Sequence, residues 1–371
     1  MHVATVWTLG ILLLITFLMY LLPSLTRPEL FFGVTVPSDF RESAAGRGLI
    51  RIYRRQVWVI AAIALVILFA GRGWNPGVVS AAATWWLAVA ASLAWYAANR
   101  MAKPYAVAPS TEREALLTSD SRELPGNWIL HLGPYVIVAA AALYLQHNYD
   151  LLPDPYPVHF NFQGVADRFV PKAPLTVFRP LVVAFVICVS MKLTAFSIAR
   201  QSKRISITGA AARRETRFRG MNLAVLLASE YHVACTLAWM TIATRLPNAM
   251  PFALYVMLAM TIVLILAAIY LSARYGQGGS RLGDLSTETL ALTDALAAEE
   301  DASRKDLAPI GDRTPDECWK FGQLYFNPDD PAIWVEKRAG VGYTLNFGRP
   351  ASWAIMLAIT AAPLVVVRLM R

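Results

Sequence analysis

The polar side chains best placed for chemistry lie in one short segment, residues 151–172, with the sequence LLPDPYPVHFNFQGVADRFVPK. Its prolines favour an extended backbone, because proline fixes its own φ and disfavours helix in the residue before it. Apolar and polar residues then alternate from Val158 to Gln163, which is the period of a β-strand. Gln163 and Gly164 form a turn signal, and a second extended piece follows. The pattern predicts one face packed on the protein and one polar face pointing outward.

We predict that this polar face docks a peptide or protein, since an exposed extended edge accepts another strand. Two other interpretations are open: an ordered plug over helix ends, and a metal site formed by His159 with Asp154 and Asp167. The segment has no second His and no Cys, so we predict no bound metal. The residues predicted to form the docking loop are Pro153, Pro157, His159, Asn161, Gln163, Gly164, Asp167, Arg168 and Lys172.

Two opposite charges within apolar sequence, Lys192 and Glu230, form the second candidate site. They fall at nearly one depth, roughly 10–14 Å from the same end of their helices at about 1.5 Å of rise per residue. An unpaired charge there costs at least about 2.5–3.5 kcal/mol, so we expect the two to pair. The pair is compatible with a structural clamp, or with a transporter or an ion- or proton-conducting protein. His131 is interpreted as a satisfied polar residue, and His232 as lying on another face than Glu230.

Long apolar runs must position these residues. The chain has 371 residues, of which 56% are hydrophobic and 16% charged. Eight runs approach the 17–25 residues or so that cross about 30 Å of hydrocarbon as a helix. Helix is expected in each, because backbone groups facing lipid must be satisfied within the segment. The predicted spans are 4–22, 56–74, 78–97, 128–146, 177–199, 221–243, 250–272 and 350–367.

The distribution of Lys and Arg orients these spans. Of the 34 basic residues, 26 lie in the first, third, fifth and seventh loops, and 6 lie in the other loops, in the C-terminal tail or, as Arg72, at the edge of the second span. The positive-inside rule therefore predicts both termini and the docking loop outside. The expected fold class is an all-α polytopic plasma-membrane protein with about eight transmembrane helices. The basic loop 200–220 is either a topology signal or a contact for anionic lipid or a cytoplasmic regulator, and no nucleic-acid partner is expected.

A small cytoplasmic α+β segment is predicted within loop 273–349. Residues 286–305 are rich in Ala and Glu, which is typical of a surface helix. The apolar and polar alternation around the NPDDP turn predicts a β-hairpin that pairs 324–326 with 333–335. The predicted regions are a three-helix region at 1–127, the docking module at 128–199, a basic loop with two helices at 200–272, and this segment with the last helix at 273–371.

Several chemistries find no support in the sequence. It contains no HExxH, GxxxxGK[ST] or GxSxG motif. The stretch GQGGSRLG follows an apolar helix rather than a strand, so it is not a dinucleotide fingerprint. NPDDP lacks the downstream Glu of a calcium loop. We therefore predict no enzymatic activity and no cofactor.

The docking loop resembles a bacterial membrane module found in SdpI-like immunity and signalling proteins, over roughly residues 130–195. Residues 319–350 and the box FFGVTVP at 31–37 resemble further modules of such membrane proteins. The resemblance implies a bacterial plasma-membrane protein without enzymatic activity. In the SdpI-like branch it implies immunity to a secreted toxic peptide, coupled to signalling. The residues that carry the loop resemblance are Leu152, Pro153, Pro157, His159, Asn161, Gly164, Asp167, Arg168 and Lys172.

Overall fold

The computed structural model describes residues 3–109, 124–161, 164–203, 209–246, 249–282 and 311–369. Most of this part of the chain is helical. The predicted surface helix at 286–305 lies outside the described residues. The long helices are α1 (Val3–Leu25), α2 (Ala44–Ala70), α3 (Pro76–Ala102), α4 (Trp128–His147), α5 (Pro174–Gln201), α6 (Gly209–Ala243), α7 (Ala249–Tyr275) and α8 (Pro350–Leu369).

Seven helices within the described ranges, α1 to α7, are long and apolar enough to cross a membrane. The eighth, α8, has a shorter apolar stretch, Pro350–Ala361. Large apolar side chains such as Val263 and Leu266 of α7 are exposed. Soluble monomers rarely expose apolar patches beyond a few hundred Å², so this surface suits lipid. The helical, apolar architecture is that of a multi-pass integral membrane protein, as predicted; the count of eight spans and their orientation stay predictions.

Local signals explain where several helices begin. Ser43 caps α2, because its hydroxyl accepts a hydrogen bond from the Gly46 N–H at 3.0 Å. Asn127 caps α4 in the same way, accepting from the Leu130 N–H at 3.1 Å. Each cap satisfies an N–H that the first helical turn leaves without a partner. Pro174 opens α5, where its missing N–H costs nothing.

α2 begins well before its predicted hydrocarbon span, which starts at residue 56. Its first turns contain Leu49 and Tyr53, and both side chains are buried in the core beside α3. Tyr53 meets the Phe32 ring edge-on, at 5.0 Å between ring centroids. Packing on this aromatic cluster stabilises a helix end that is too polar for hydrocarbon. Hydropathy alone therefore predicts the apolar part of α2 but not its earlier start.

The chain divides into two compact units. The first comprises residues 1–119, 203–218 and 272–348, and the second comprises 120–202, 219–271 and 349–371. In the first unit, α1, α2 and α3 pack on one another. In the second, α4, α5 and α6 share a buried cluster, and α8 packs on α5.

In the part of the chain that the structure describes, four antiparallel hairpins connect or flank the helices. They are β1 (Leu30–Phe31) with β2 (Val34–Thr35), β3 (Tyr156–Phe160) with β4 (Ala166–Val170), β5 (Trp319–Lys320) with β6 (Leu324–Tyr325), and β7 (Trp334–Glu336) with β8 (Tyr343–Leu345).

The predicted pairing of 324–326 with 333–335 is wrong. β6 pairs with β5, and β7 pairs with β8. The side-chain amide of Asn346 donates to the carbonyl oxygens of Asn327 at 2.8 Å and Asp330 at 3.1 Å. The Asn346 side chain therefore stabilises the NPDDP turn, and no hydrogen bonds between β6 and β7 are needed to close it. Both strands can then pair with other strands.

Candidate functional site

The docking loop forms the β3–β4 hairpin, hereafter the hairpin. Tyr156 pairs with Val170 and Phe160 with Ala166, and the register shifts on both sides of His159. Such a bulge re-aims the side chains next to it. Extended backbone followed by a turn and a second strand is the arrangement that the alternation of residues predicted.

Asn161 organises the turn. Its N–H donates to the Val165 carbonyl at 2.9 Å, and its side-chain oxygen accepts from the Val165 N–H at 2.9 Å. Both polar ends of this residue are therefore engaged inside the hairpin. Asn161 therefore shapes the turn, and its role in docking a ligand stays a prediction. Gln163 lies outside the described residues.

The hairpin is anchored on the helices of its own unit. Tyr156 is buried, and its hydroxyl lies 3.1 Å from Thr244 Oγ1. Phe160 packs on a cluster that includes Ala243 and Met250. Contacts at both ends of β3 therefore give the hairpin a fixed base from which its other side chains project.

Gly164 sits where a side chain has no room. Its φ is +76°, and a Cβ would lie 2.6 Å from the backbone nitrogen of Pro251 at the start of α7. We expect Gly164→Ala to destabilise the protein by about 2 kcal/mol or more, because left-handed backbone strain adds to overpacking. Thermal unfolding in detergent measures the change.

The matched control is Gly220→Ala in α6, where a Cβ meets no atom within 4 Å. Alanine raises helix propensity there, so its effect should be neutral or stabilising by up to about 1 kcal/mol. Equal unfolding temperatures for Gly164→Ala and the parent protein would contradict the close approach to Pro251.

His159 and Asp167 meet on the outer face of the hairpin. Their Nδ1 and Oδ1 atoms are 2.5 Å apart, and the side chains are 56% and 45% exposed. Exposed polar pairs of this kind contribute at most about 1 kcal/mol whether or not the histidine is charged, so either partner exchanges readily for a ligand group. Arg168 is exposed beside them. This is the polar surface that the structure assembles from the predicted residues.

The other residues of the predicted docking loop differ in their contacts and in their exposure. Lys172 donates from Nζ to the Leu152 carbonyl at 3.2 Å, and its N–H donates to Asp154 Oδ1 at 3.1 Å. Pro157 is buried, whereas Pro153 is exposed. Within the described ranges, no group of three or more His, Cys, Asp or Glu side chains is placed to hold a metal ion.

β4 carries the open edge of the hairpin. Among the described strands this sheet has two members, so each strand has one edge without a strand neighbour. On β3 the first residues are buried, whereas Asp167, Arg168 and Phe169 of β4 are exposed. Phe169 is 52% exposed although it is aromatic. A free edge flanked by an apolar and a charged side chain is a template for a further strand.

Lys192 of α5 and Glu230 of α6 lie together in the second unit. Lys192 Nζ is 2.8 Å from Glu230 Oε2, and the side chains are 12% and 1% exposed. Neither carboxylate oxygen has a hydrogen-bond partner of good geometry among the described residues. The contact is thus a buried ion pair without further polar support for the carboxylate, an arrangement that is costly to break.

His131 of α4 joins this pair, which the sequence interpretation did not anticipate. Its Nδ1 is 2.9 Å from Lys192 Nζ, and its Nε2 is 3.0 Å from the Pro125 carbonyl. A proton on Nε2 that is donated to Pro125 leaves Nδ1 free to accept from the lysine. His232 instead contacts Thr261 of α7, at 3.0 Å. The signal for His131 was its place near the predicted inner end of its span, the same end from which the depth of Lys192 was counted.

A buried arginine in the first unit, Arg338, was missed altogether. Its side chain is fully buried. Nε and Nη2 each donate to Asp312 at 2.8 Å, and Nη1 donates to Asp316 at 2.6 Å and to the Gly33 carbonyl at 2.8 Å. Asp316 in turn accepts from the Thr35 N–H at 3.0 Å. We call this set the Arg338 network; it ties β1–β2 to the segment that precedes α8.

Two segments are similar to known families. Residues 136–184 match a domain of unknown function (DUF1648), and residues 328–353 match a family of unknown function (DUF5808). The first match covers the hairpin with parts of α4 and α5. The second covers the NPDDP turn from Pro328 onward, β7, β8 and the start of α8. No curated protein and no solved structure matches the chain. The relationship to SdpI-like proteins stays a prediction.

Proposed function

We propose that this protein is a non-enzymatic membrane protein that recognises an extended peptide, or an extended segment of a protein, at the outer face of the plasma membrane. The observation that carries the proposal is the open edge of β4, with Asp167, Arg168 and Phe169 exposed. The predicted orientation puts this edge outside. The match to residues 136–184 supports the proposal in that it spans the hairpin and parts of the helices on either side.

Recognition would follow the physics of strand addition. Main-chain hydrogen bonds to the β4 edge supply affinity, and alternate side chains supply selectivity. Arg168 would select an acidic residue in the peptide, and Phe169 an apolar one. Asp167 is already engaged by His159 at 2.5 Å, so Arg168 is the charged side chain of β4 that is left for a ligand. An immunity-like or sensor-like role follows if binding outside favours one of two arrangements of the helices, with the segment before α8 or loop 200–220 contacting an inner partner.

The test is selection of peptides from a random display library on the purified protein in lipid nanodiscs. Enriched peptides should bind about ten-fold or more weakly to an Arg168→Ala/Phe169→Ser variant, because a hydrogen bond to a charged group contributes about 1.5–3 kcal/mol. The same peptides carrying N-methyl groups on alternate residues should also lose binding. The affinity of the enriched peptides for a His159→Ala/Asp167→Ala variant should also differ from their affinity for the parent protein.

Phe17→Ser is the control, because Phe17 of α1 is also 52% exposed and belongs to the first compact unit, whereas the hairpin belongs to the second. That variant should bind as the parent protein does. Enrichment no greater than on empty nanodiscs, or peptides indifferent to both Arg168→Ala/Phe169→Ser and N-methylation, would rule out recognition at this edge. Membrane abundance of each variant shows that binding, rather than folding, has changed.

A further inference from the structure

α2 and α3 leave an open, largely apolar groove along their outer faces, with a volume of about 490 Å³. Sites for small ligands have volumes of roughly 300–1,000 Å³. On α3 the groove is lined mainly by alanines, Ala90, Ala94 and Ala97, which share one helix face. Their short side chains leave room that longer residues would fill. On α2, Ile52 and Val59 line the opposite side.

Arginines gather at one end of the groove. Arg55 lines it directly, and Arg51 lies one turn earlier on the same face of α2. Arg100 follows Ala97 by three residues, so it shares the corresponding face of α3. All three side chains are exposed, and none has an ion-pair or hydrogen-bond partner among the described residues.

Neither α2 nor α3 supplies an acid to neutralise them. Residues 43–109 contain no Asp and no Glu. The neighbouring Arg54 is engaged differently: its guanidinium lies 4.3 Å from the Tyr20 ring centroid, and Nε donates to the Tyr20 carbonyl at 3.4 Å. Arg51 and Arg55 therefore keep their full hydrogen-bonding capacity for an outside anion.

We propose that this groove binds an anionic phospholipid, with one acyl chain along the alanine face and the phosphate on Arg51 and Arg55. The predicted hydrocarbon span of α2 starts at residue 56, directly after these arginines, which places them at headgroup level. Guanidinium groups bind phosphate through two parallel hydrogen bonds. The pairing of an apolar channel with free cations at one end matches an amphiphile that has an acidic head.

The test is native mass spectrometry of the detergent-purified protein with dioleoyl phosphatidylglycerol or dioleoyl phosphatidylcholine, which share their acyl chains. Phosphatidylglycerol should bind roughly 10- to 30-fold more tightly, at about five-fold for each of two arginines near a lipid surface. Arg51→Gln/Arg55→Gln should abolish this preference. Ala90→Leu/Ala97→Leu, which fills the groove, should weaken phosphatidylglycerol binding to a similar extent. Ala97→Leu alone replaces the pair if the pair fails to fold.

Two variants serve as controls. Ala88→Leu adds the same bulk on another, exposed face of α3, and Arg168→Gln removes an exposed arginine outside the groove. Both should bind phosphatidylglycerol as the parent does. Equal binding of the two lipids to the parent protein overturns the proposal. So does a preference for phosphatidylglycerol that survives either the arginine or the leucine substitutions in a folded variant.

Discussion

Replacing Arg338 by Met is expected to destabilise the first unit by at least about 3–5 kcal/mol, the largest effect we predict. The substitution removes the partner of Asp312, a carboxylate that is 2% exposed, and leaves its charge buried. Breaking a buried ion pair from one side costs this much, because the remaining charge has neither water nor a counter-ion. Total stabilities of about 5–15 kcal/mol leave little margin for such a loss.

The network is at full strength at neutral pH. Burial by itself raises the pKa of the Asp312 carboxyl, but the Arg338 guanidinium and hydrogen bonds from Thr314 outweigh burial and hold the pKa below its ordinary 3.8. A carboxyl whose folded pKa is lowered stabilises the fold above its unfolded pKa and loses that contribution as the pH falls through the lowered value. Measurements near pH 7 therefore report the whole effect of removing Arg338.

Hydrogen exchange gives the sharpest readout, because Arg338 binds both Asp312 and the Gly33 carbonyl. Protection in β1–β2 and in the segment 311–345 should fall together in Arg338→Met. Lys320→Met removes an exposed charge from the same segment and should change stability by no more than about 0.5 kcal/mol. Loss of protection in 311–345 with β1–β2 unchanged would contradict the proposed link.

Lys192→Met is the second substitution with a large expected effect. It leaves Glu230, 1% exposed, without its counter-ion, so we expect a loss of about 3–5 kcal/mol. The double variant Lys192→Met/Glu230→Met removes both charges and should recover much of this loss. Unfolding in mixed detergent micelles measures the parent protein, both single variants (Lys192→Met and Glu230→Met) and the double variant. These four form the double-mutant cycle that isolates the coupling between the two residues.

The same variants separate a clamp from a pathway. A clamp predicts that the double variant is stable and that proton uptake into proteoliposomes is the same for every folded form. A conducting role predicts uptake by the parent protein that disappears in the double variant despite its stability. Lys103→Met, which removes an exposed lysine of the first unit, should leave both stability and uptake unchanged. Additive losses in the cycle would show that Lys192 and Glu230 do not interact.

The structural class of the protein and the shape of the hairpin could be predicted from patterns within short stretches of the sequence. Apolar runs long enough for a bilayer indicated a multi-pass membrane protein, because transfer of each segment into lipid depends on its own composition. The hairpin was likewise predicted from the alternation of apolar and polar residues and from the turn signal at Gln163 and Gly164, because strand register and turn chemistry depend on local sequence. The pairing of Lys192 with Glu230 was expected from their similar depth in the predicted spans, because an unpaired charge at that depth is costly.

Contacts between distant residues had no such local signal. Arg338 and Gly33 are 305 positions apart, and neither residue carries a pattern that points to the other. The partners of β6 and β7 were misassigned, because Asn346 satisfies the NPDDP turn from outside the local sequence. His131 joins Lys192 at 2.9 Å only where α4 packs beside α5. Periodicity tells which face of an element is apolar; which faces meet depends on how the elements pack, and that is a property of the whole fold.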